Sequence, residues 1–422
     1  MAQPKPHVVI IGGGFAGIYA ARTLANKPVD VTVIDKENYH LFQPLLYQVA
    51  TAALSAGDIA SPIRSILRRY KNIRVIMGEV TDIDIAQKRV SLRDGDYHFD
   101  YLILAAGATG TYFGNDHWAK FAPGLKTVED AIDIRRRIFC AYETAERLPR
   151  DSKEREAYLT FVVIGGGPTG VEMAGAISEI ATNTLKADFR SIDTTKTKVV
   201  LLQSGDRILP EFSPDLSESA KKQLENLGVE VRTGSRVTDI NADGVYVGET
   251  FIPAKTVIWG AGVAGSPLAK KLSVELDRGG RVMVRPDLTV PGYENVFVVG
   301  DLAHLEQSNG KGLVPGVAQG AIQGGIHAAR NILAQIAGQT MTPFIYDDRG
   351  TLATIGRNSA VGVAKGFKVK GFVAWLMWLF IHLYFLIGFD NRLTVFLSWA
   401  YSYLSYNRSA RLITDVQREP TS

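Results

Sequence analysis

VVIIGGGFAG, residues Val8 to Gly17, and TFVVIGGGPTGVE, residues Thr160 to Glu172, are the two stretches on which the fold turns. In each, a run of apolar and β-branched residues leads into three glycines spaced G-x-G-x-x-G. They are Gly12, Gly14 and Gly17 in the first and Gly165, Gly167 and Gly170 in the second. At this spacing the first glycine permits a tight strand-to-helix turn, the second lets a diphosphate approach the backbone, and the third lets the helix lie close on the strand. The helix then aims free N–H groups and its positive dipole end at the phosphates. Asp35 ends a second apolar run, VTVID, at the distance expected of an acid that holds ribose hydroxyls. One such motif is weak evidence; two in one chain imply two dinucleotides.

Outward from the motifs the chain repeats itself. Residues 101–107, YLILAAG, read as a buried strand ending in a turn at Ala106 and Gly107, and residues 257–262, VIWGAG, do the same through Gly260 and Gly262. Each follows its glycine motif in the same relative place, so a unit of fingerprint, βαβ and closing strand is duplicated. Residues 198–203, KVVLLQ, form the second strand of the second unit, and Gln203 stands where a carboxylate is expected. The predicted class is therefore α/β with two Rossmann-like dinucleotide-binding domains.

Composition narrows the functions. At 422 residues the chain suits two or three domains, and 21% charged against 46% apolar residues describes large cores. A net charge of +4 without a basic tract points away from nucleic acid. Cys140 is the only cysteine, which removes disulfide frameworks and redox dithiols and fits a reducing compartment. It lies in a helical pattern and reads as a small core residue. No metal-ligand cluster stands out. MAQPKPH passes at once into the first strand, so no signal or transit peptide is expected. Residues 39–54, YHLFQPLLYQVATAAL, carry too many large apolar groups for a soluble loop and are expected to be buried or to line a pocket.

GGGFAG, GGGPTGVE, the run VVGD ending at Gly300 and Asp301, and PGVAQGAIQGG at residues 315–325 closely resemble the type II NADH dehydrogenases. FQPLLYQVATAAL and the aromatic C-terminal tail extend the resemblance over nearly the whole chain. It implies an enzyme that passes electrons from NADH through FAD to a membrane quinone without pumping protons. Carried to this sequence, it places FAD on Gly12, Gly14, Phe15, Ala16, Gly17, Asp35, Lys36, Ala106, Gly107, Gly300, Asp301, Ala318 and Gln319. NADH falls to Gly165, Gly166, Gly167, Pro168, Thr169, Gly170, Glu172, Gln203, Gly260 and Gly262. The quinone falls to Gln43, Pro44, Gly316, Gln319 and Gln323. Gln319 and Gln323, four apart, share one helix face, and a glutamine can hydrogen-bond a quinone carbonyl without titrating. Glu172 stands where the first motif has Tyr19. An acid there caps the helix dipole, and a buried one is expected to relay a proton as hydroquinone forms. Gln203 lacks the charge that repels the 2′-phosphate of NADPH, so some NADPH use is expected beside NADH, with Arg207 nearby either a phosphate partner or an exposed surface residue.

The expected domains are 1–115 and 276–345 for FAD, 116–275 for NADH, and 346–422 for membrane attachment. Residues 371–389 would reach ~28 Å as one helix against a ~30 Å hydrocarbon core. Lysines precede them, Arg392 follows and His382 sits among them, which disfavours a span. In TVFLSWAYSYLSYNRS, Thr394, Ser398, Ser402, Ser405 and Ser409 fall on one stripe, with Phe396, Trp399, Tyr403 and Tyr406 elsewhere, as in a helix lying in a membrane interface. Monotopic attachment to the cytoplasmic face of a prokaryotic cell membrane, as a homodimer, is the expectation. Two other functions share the fingerprints: a soluble NAD(P)H-dependent reductase of a small redox protein, and a non-catalytic flavoprotein sensor. A disulfide reductase or a sulfide:quinone oxidoreductase needs the cysteine pair that Cys140 cannot supply.

Overall fold

The computed structural model describes residues 5–307, 310, 312–405, 408 and 410–413. They divide into two compact units: the described residues within 5–41, 60–109 and 263–347 form the first, and those within 42–59, 110–262 and 348–413 the second. The chain changes unit at 110 and 263, where the sequence suggested 116 and 276, and residues 42–59 and the C-terminal region belong to the second unit.

In the first unit, parallel strands His7–Ile11, Asp30–Asp35, Ile73–Met77 and Tyr101–Leu104 form a sheet with Tyr293–Val298, edged by the short antiparallel Thr289–Val290. In spatial order the fingerprint strand His7–Ile11 lies between Tyr101–Leu104 and Asp30–Asp35. Its inner residues Val8, Val9 and Ile10 are fully buried, as expected of a parallel strand covered on both faces. A three-stranded antiparallel sheet, Val80–Asp84, Arg89–Leu92 and Gly95–His98, closes one side of this core.

The second unit repeats the plan. Its parallel sheet runs Val229–Arg232, Lys198–Leu202, Thr160–Ile164, Thr256–Trp259, with an antiparallel appendage of Val237–Asn241, Gly244–Val247 and Thr250–Pro253. Both sheets change strand direction of winding beside the fingerprint strand, which creates the crevice where this fold takes ligands. A third sheet, Gly350–Gly356, Ser359–Ala364 and Phe367–Lys370, lies beyond the duplicated plan and leads into the C-terminal helices.

The tail is not one long helix. Gly371–Phe385 ends before Leu386 and Gly388, and a second helix runs Phe389–Ser405. Among the described residues no helix is long and apolar enough to cross a membrane. The first helix has 15 residues, ~22 Å at 1.5 Å each, short of a hydrocarbon core. Tyr406 and Ser409 lie outside the described residues.

Helix Ala318–Ile336 packs along the first fingerprint helix, Phe15–Leu24. The contact is closest at Gly325, where a Cβ would lie 2.2 Å from the Ala16 carbonyl oxygen. The obstacle is backbone on a packed helix, which has little room to yield. Gly325→Ala is expected to destabilise the protein by about 1–3 kcal/mol, the range for overpacking a filled core. Urea unfolding of both proteins measures it, and an unchanged midpoint would show that the two helices separate at no cost.

Candidate functional site

The two fingerprints are built alike down to single contacts. Gly12 and Gly165 both have φ +107°, and a Cβ on either would strike the backbone of the closing strand's turn: Ala105 O at 2.3 Å, and Ala261 N at 2.7 Å. Gly17 and Gly170 sit so tightly on the preceding turn that a Cβ would lie 1.8 Å from the oxygen of Gly12 or Gly165. These four are required by the protein's own packing. Gly14 and Gly167 differ. Their φ values, −73° and −75°, suit any residue, and among the described residues no atom beyond the adjoining chain stands within 4 Å of where a Cβ would be.

Among the described residues nothing therefore calls for glycine at those two positions. Each is the N-cap of its helix, and neither helix has a side-chain cap. Uncapped N–H groups behind an open, side-chain-free approach fit a diphosphate. Both cradles thus suit the pyrophosphate of a dinucleotide, one per unit.

The ends of the second strands hold the turns. Asp35 Oδ2 accepts from the Gly13 amide at 2.5 Å while Oδ1 accepts from Glu37 N at 2.8 Å. Burial raises the Asp35 carboxyl from its ordinary value, and the two amide bonds work against that shift. In the second unit Gln203 Oε1 takes the same position, accepting from Gly166 N at 2.9 Å. This revises the expectation for Gln203. Its Oε1 holds the glycine turn, and its Nε2 is a donor that a carboxylate in this place would lack. Arg207 does not reach for a phosphate here; its guanidinium donates to the Pro210 carbonyl at 3.0 Å.

Other first-unit residues gather beside their fingerprint. Ala106 N lies 3.3 Å from a Cβ at Gly12, and Gly107 follows in the left-handed region at φ +65°. Gly300, at φ +70°, lies against Ala16 and Ala321, so the turn bearing Asp301 sits between the two packed helices. Gly316 packs against Asp301, and Ala318 and Gln319 open the helix at this same end. Phe15 stands edge-on to the buried His40, 5.0 Å between centroids, and burial lowers the His40 pKa to about 4. Lys36 instead turns outward, with Nζ 4.0 Å from Glu37. Gln323 is committed elsewhere: its Nε2 donates to Asp347 O at 3.0 Å and its Oε1 accepts from Asp347 N at 2.9 Å. Both ends of that amide clamp backbone, which is a structural task.

In the second unit Pro168 and Thr169 open the fingerprint helix, and Glu172 lies one turn in. Glu172 faces a cavity of about 120 Å³ whose walls include Tyr47, Gln48, Thr51, Glu179, Thr354, Trp375, Trp378, Trp399 and Arg408. Burial pushes its carboxyl well above the ordinary range, and the backbone N–H of Thr354 offsets only part of that. Burial thus favours the protonated form of Glu172. Residues 42–50 are largely buried, with Gln43 and Pro44 in a 3-10 turn and the cavity wall beginning at Tyr47.

The tail supplies the rest of the wall. Trp399 Nε1 donates to Gln48 Oε1 at 2.7 Å, and Gln48 Nε2 donates to the Tyr47 hydroxyl at 2.9 Å. Arg408 donates to Thr51 O at 2.7 Å and pairs with Glu179 Oε2 at 3.3 Å, both side chains nearly buried. Trp378 stacks on His382 at 4.1 Å, and burial drops the His382 pKa to about 4, so this histidine is an uncharged packing partner. The Trp378 Nε1 is buried without a hydrogen-bond partner among the described residues, which is costly to folding. Sequence reading singled out Glu172, residues 39–54 with Gln48 among them, and Trp399 as a tail aromatic, but missed Trp378, Glu179 and Arg408. Their roles depend on tertiary contacts across more than 200 residues, and no local pattern marks them.

Cys140 is partly buried and alone, and among the described residues no cluster of His, Cys, Asp or Glu could hold a metal. The pyridine nucleotide-disulphide oxidoreductase family matches residues 6–325. The type II NADH:quinone oxidoreductase Ndh of Mycobacterium tuberculosis is 48% identical over 434 residues, covering 99% of this chain and 92% of the relative. NdhA of the same organism, also a type II NADH:quinone oxidoreductase, is 46% identical, covering 97% and 90%. The structure of NDH2 from Plasmodium falciparum in complex with NADH superposes with a TM-score of 0.87 over 96% of this chain and 99% of that one; at 20% identity it speaks for the fold. The chain belongs to the type II NADH:quinone oxidoreductases, within the pyridine nucleotide-disulphide oxidoreductase family.

Proposed function

We propose that this protein is an FAD enzyme of the membrane surface that oxidises NADH and reduces a quinone by two electrons, without pumping protons. The observation that carries the reading is the pair of open cradles at Gly14 and Gly167, which no contact among the described residues requires. FAD falls to the first unit, whose second strand ends in the carboxylate of Asp35 and whose Asp301 turn lies beside the fingerprint helix. NADH falls to the second. When bound, FAD supplies the ring that accepts hydride from NADH and passes two electrons on.

The residues of this chain bind, align and handle the proton. NADH and quinone yield NAD⁺ and hydroquinone with the uptake of one proton. Glu172, whose protonated form burial favours, is proposed to hold that proton in the cavity of the second unit. The cavity's three tryptophans suit a flat ring, and the orphaned Trp378 Nε1 suits a quinone carbonyl. Gln319, at the start of its helix, is proposed to act on the flavin side in the first unit. Gln43, Pro44 and Gly316 keep the quinone role that the family resemblance gives them as a proposal, while the clamp on Asp347 weakens the case for Gln323.

Membrane attachment is proposed to use the outer surface of the tail helices. Phe372, Val373, Phe380, Tyr384, Phe396, Leu397 and Tyr401 are all exposed there. A single exposed apolar residue is unremarkable, but seven on two consecutive helices form a patch suited to an interface. The cytoplasmic leaflet of a prokaryotic membrane and a homodimer remain parts of this proposal.

Detergent-purified protein is expected to show a flavin spectrum that NADH bleaches and that a short-chain quinone restores. Phe380→Glu combined with Phe396→Glu should reduce binding to lipid vesicles while leaving that short-chain turnover in place. A colourless protein, or NADH oxidation indifferent to quinone, would remove the reading.

The nucleotide preference follows from Gln203. With Oε1 on Gly166, its outward Nε2 can donate to a ribose oxygen or to a 2′-phosphate, so NADPH is expected to be used, less well than NADH. In Gln203→Glu one carboxylate oxygen keeps the Gly166 bond and the other faces the 2′ position, where it accepts from a hydroxyl and repels a phosphate. Its expected effect is a loss of about 1–3 kcal/mol in kcat/KM for NADPH with NADH spared. Equal losses for both nucleotides would show that the side chain serves only the turn.

Glu172 gives a pH signature in stability. Its folded pKa is raised above the unfolded value, so its contribution is fully present below the ordinary 4.5 and is lost as pH rises toward the folded pKa. Glu172→Gln has no proton to lose and escapes this decline. The difference in Tm, mutant minus wild type, is expected to grow with pH above that point. A difference that stays flat from acid to alkaline pH would mean that Glu172 is ionised when folded.

A further inference from the structure

We propose that Phe113 is the residue against which the nicotinamide riboside of the bound nucleotide packs, and so sets affinity for that half of the molecule. The inference rests on the reading of the second unit as the NADH site and assigns it a contact that the glycine motif does not contain. It begins from the order of strands. In the second sheet the fingerprint strand Thr160–Ile164 lies between Lys198–Leu202 and Thr256–Trp259. Gln203 ends the former and marks the adenosine side; the cradle at Gly167 takes the diphosphate. A dinucleotide laid across the carboxyl edge must then place its other half over the loop that follows Trp259, residues Gly260 to Gly262.

Phe113 stands on that loop. A Cβ at Gly262 would lie 2.7 Å from Phe113 Cζ and 2.9 Å from Cε2, so the ring rests on the bare α-carbon, with Gly262 itself at φ +77°. Beneath it, Phe113 meets Trp259 edge to face at 6.3 Å between centroids. The rest of the ring faces solvent: the residue is 68% exposed.

The backbone under this exposed ring is strained. Phe113 has φ +53°, a left-handed conformation that is an outlier for a bulky side chain. Its neighbours fix it there. Trp259 Nε1 donates to Thr111 O at 3.0 Å, the Tyr112 hydroxyl donates to Ala122 O at 2.8 Å, and the Tyr112 ring stacks on Trp259 at 5.0 Å. Folding alone gains little from such a residue, since glycine would adopt the conformation freely and leave no apolar ring in water. Strain held in place at the mouth of a ligand site points to a task performed on the ligand. A flat aromatic beside a nicotinamide ring offers stacking and, toward oxidised NAD⁺, attraction of the ring face for positive charge.

The test separates the two halves of the nucleotide without relying on turnover. Calorimetry on the purified, flavin-loaded full chain measures affinity for NAD⁺ and for ADP in wild type, Phe113→Gly and Phe113→Tyr. Phe113→Gly is expected to weaken NAD⁺ by about tenfold, the scale of one lost aromatic pair, and to leave ADP unchanged. Its Tm should hold or rise, because glycine relieves the left-handed strain, and Phe113→Tyr should bind NAD⁺ as wild type does. NAD⁺ affinity unchanged in Phe113→Gly, or ADP weakened as much as NAD⁺, would overturn the assignment. Wild type that binds neither nucleotide would overturn the reading of the whole unit and this inference with it.

Discussion

Clearance between a helix and the turn before it governs both halves of this protein. At Gly17 and Gly170 the space for a β-carbon ends 1.8 Å from a backbone oxygen, so the helix can seat only when no side chain is present. Seating fixes the helix axis relative to the sheet, and the axis fixes where the uncapped N–H groups point. The remaining site residues are placed from that start. In the first unit, helix Ala318–Ile336 lies on the fingerprint helix through the equally bare Gly325, which carries Ala318 and Gln319 to the same end of the crevice as Gly300 and Asp301. A methyl group at any of these glycines would tilt a helix and move several site residues together.

The two units share this frame and differ at one atom. Asp35 presents two acceptors, and both are used by amides of the turn and of Glu37. Gln203 gives its Oε1 to Gly166 and adds an Nε2 donor that a carboxylate lacks. On the proposed function, that donor meets a 2′-phosphate without the repulsion a carboxylate would impose. The absent charge at Gln203 is legible in the sequence. The direction of its amide is not, since only the fold shows which end the glycine turn claims.

That contrast describes how far the sequence carries. Fingerprints, closing strands and the duplication are local in sequence and physically determined, so VVIIGGGFAG and TFVVIGGGPTGVE lead to the right sheets, and YLILAAG and VIWGAG to strands beside them. Residues 371–389 were harder, because a uniformly apolar run has no periodicity to mark where a helix must stop. The break at Leu386 to Gly388 comes with Arg392, whose guanidinium bonds the carbonyls of Tyr384 and Leu386 and caps the end of the helix. Gln323 shares a helix face with Gln319, which fits a ligand-facing residue, yet its amide bonds the backbone of Asp347, 24 residues away. Face sharing follows from spacing; what occupies the face follows from tertiary packing.

The tail shows why its function is read poorly from composition. Its aromatic content suggested an interface with lipid, and the exposed rings of Phe372, Phe380, Tyr384 and Phe396 support that proposal. The same two helices turn Trp378 and Trp399 inward, where one stacks on His382 and the other holds Gln48, while Arg408 beyond them reaches Thr51 and Glu179. Those inward contacts form part of the wall of the cavity that Glu172 lines, and burial there favours its protonated form. On the proposed function, attachment to a membrane and readiness of the proton are two consequences of one packing arrangement, so removing the tail would disturb both at once.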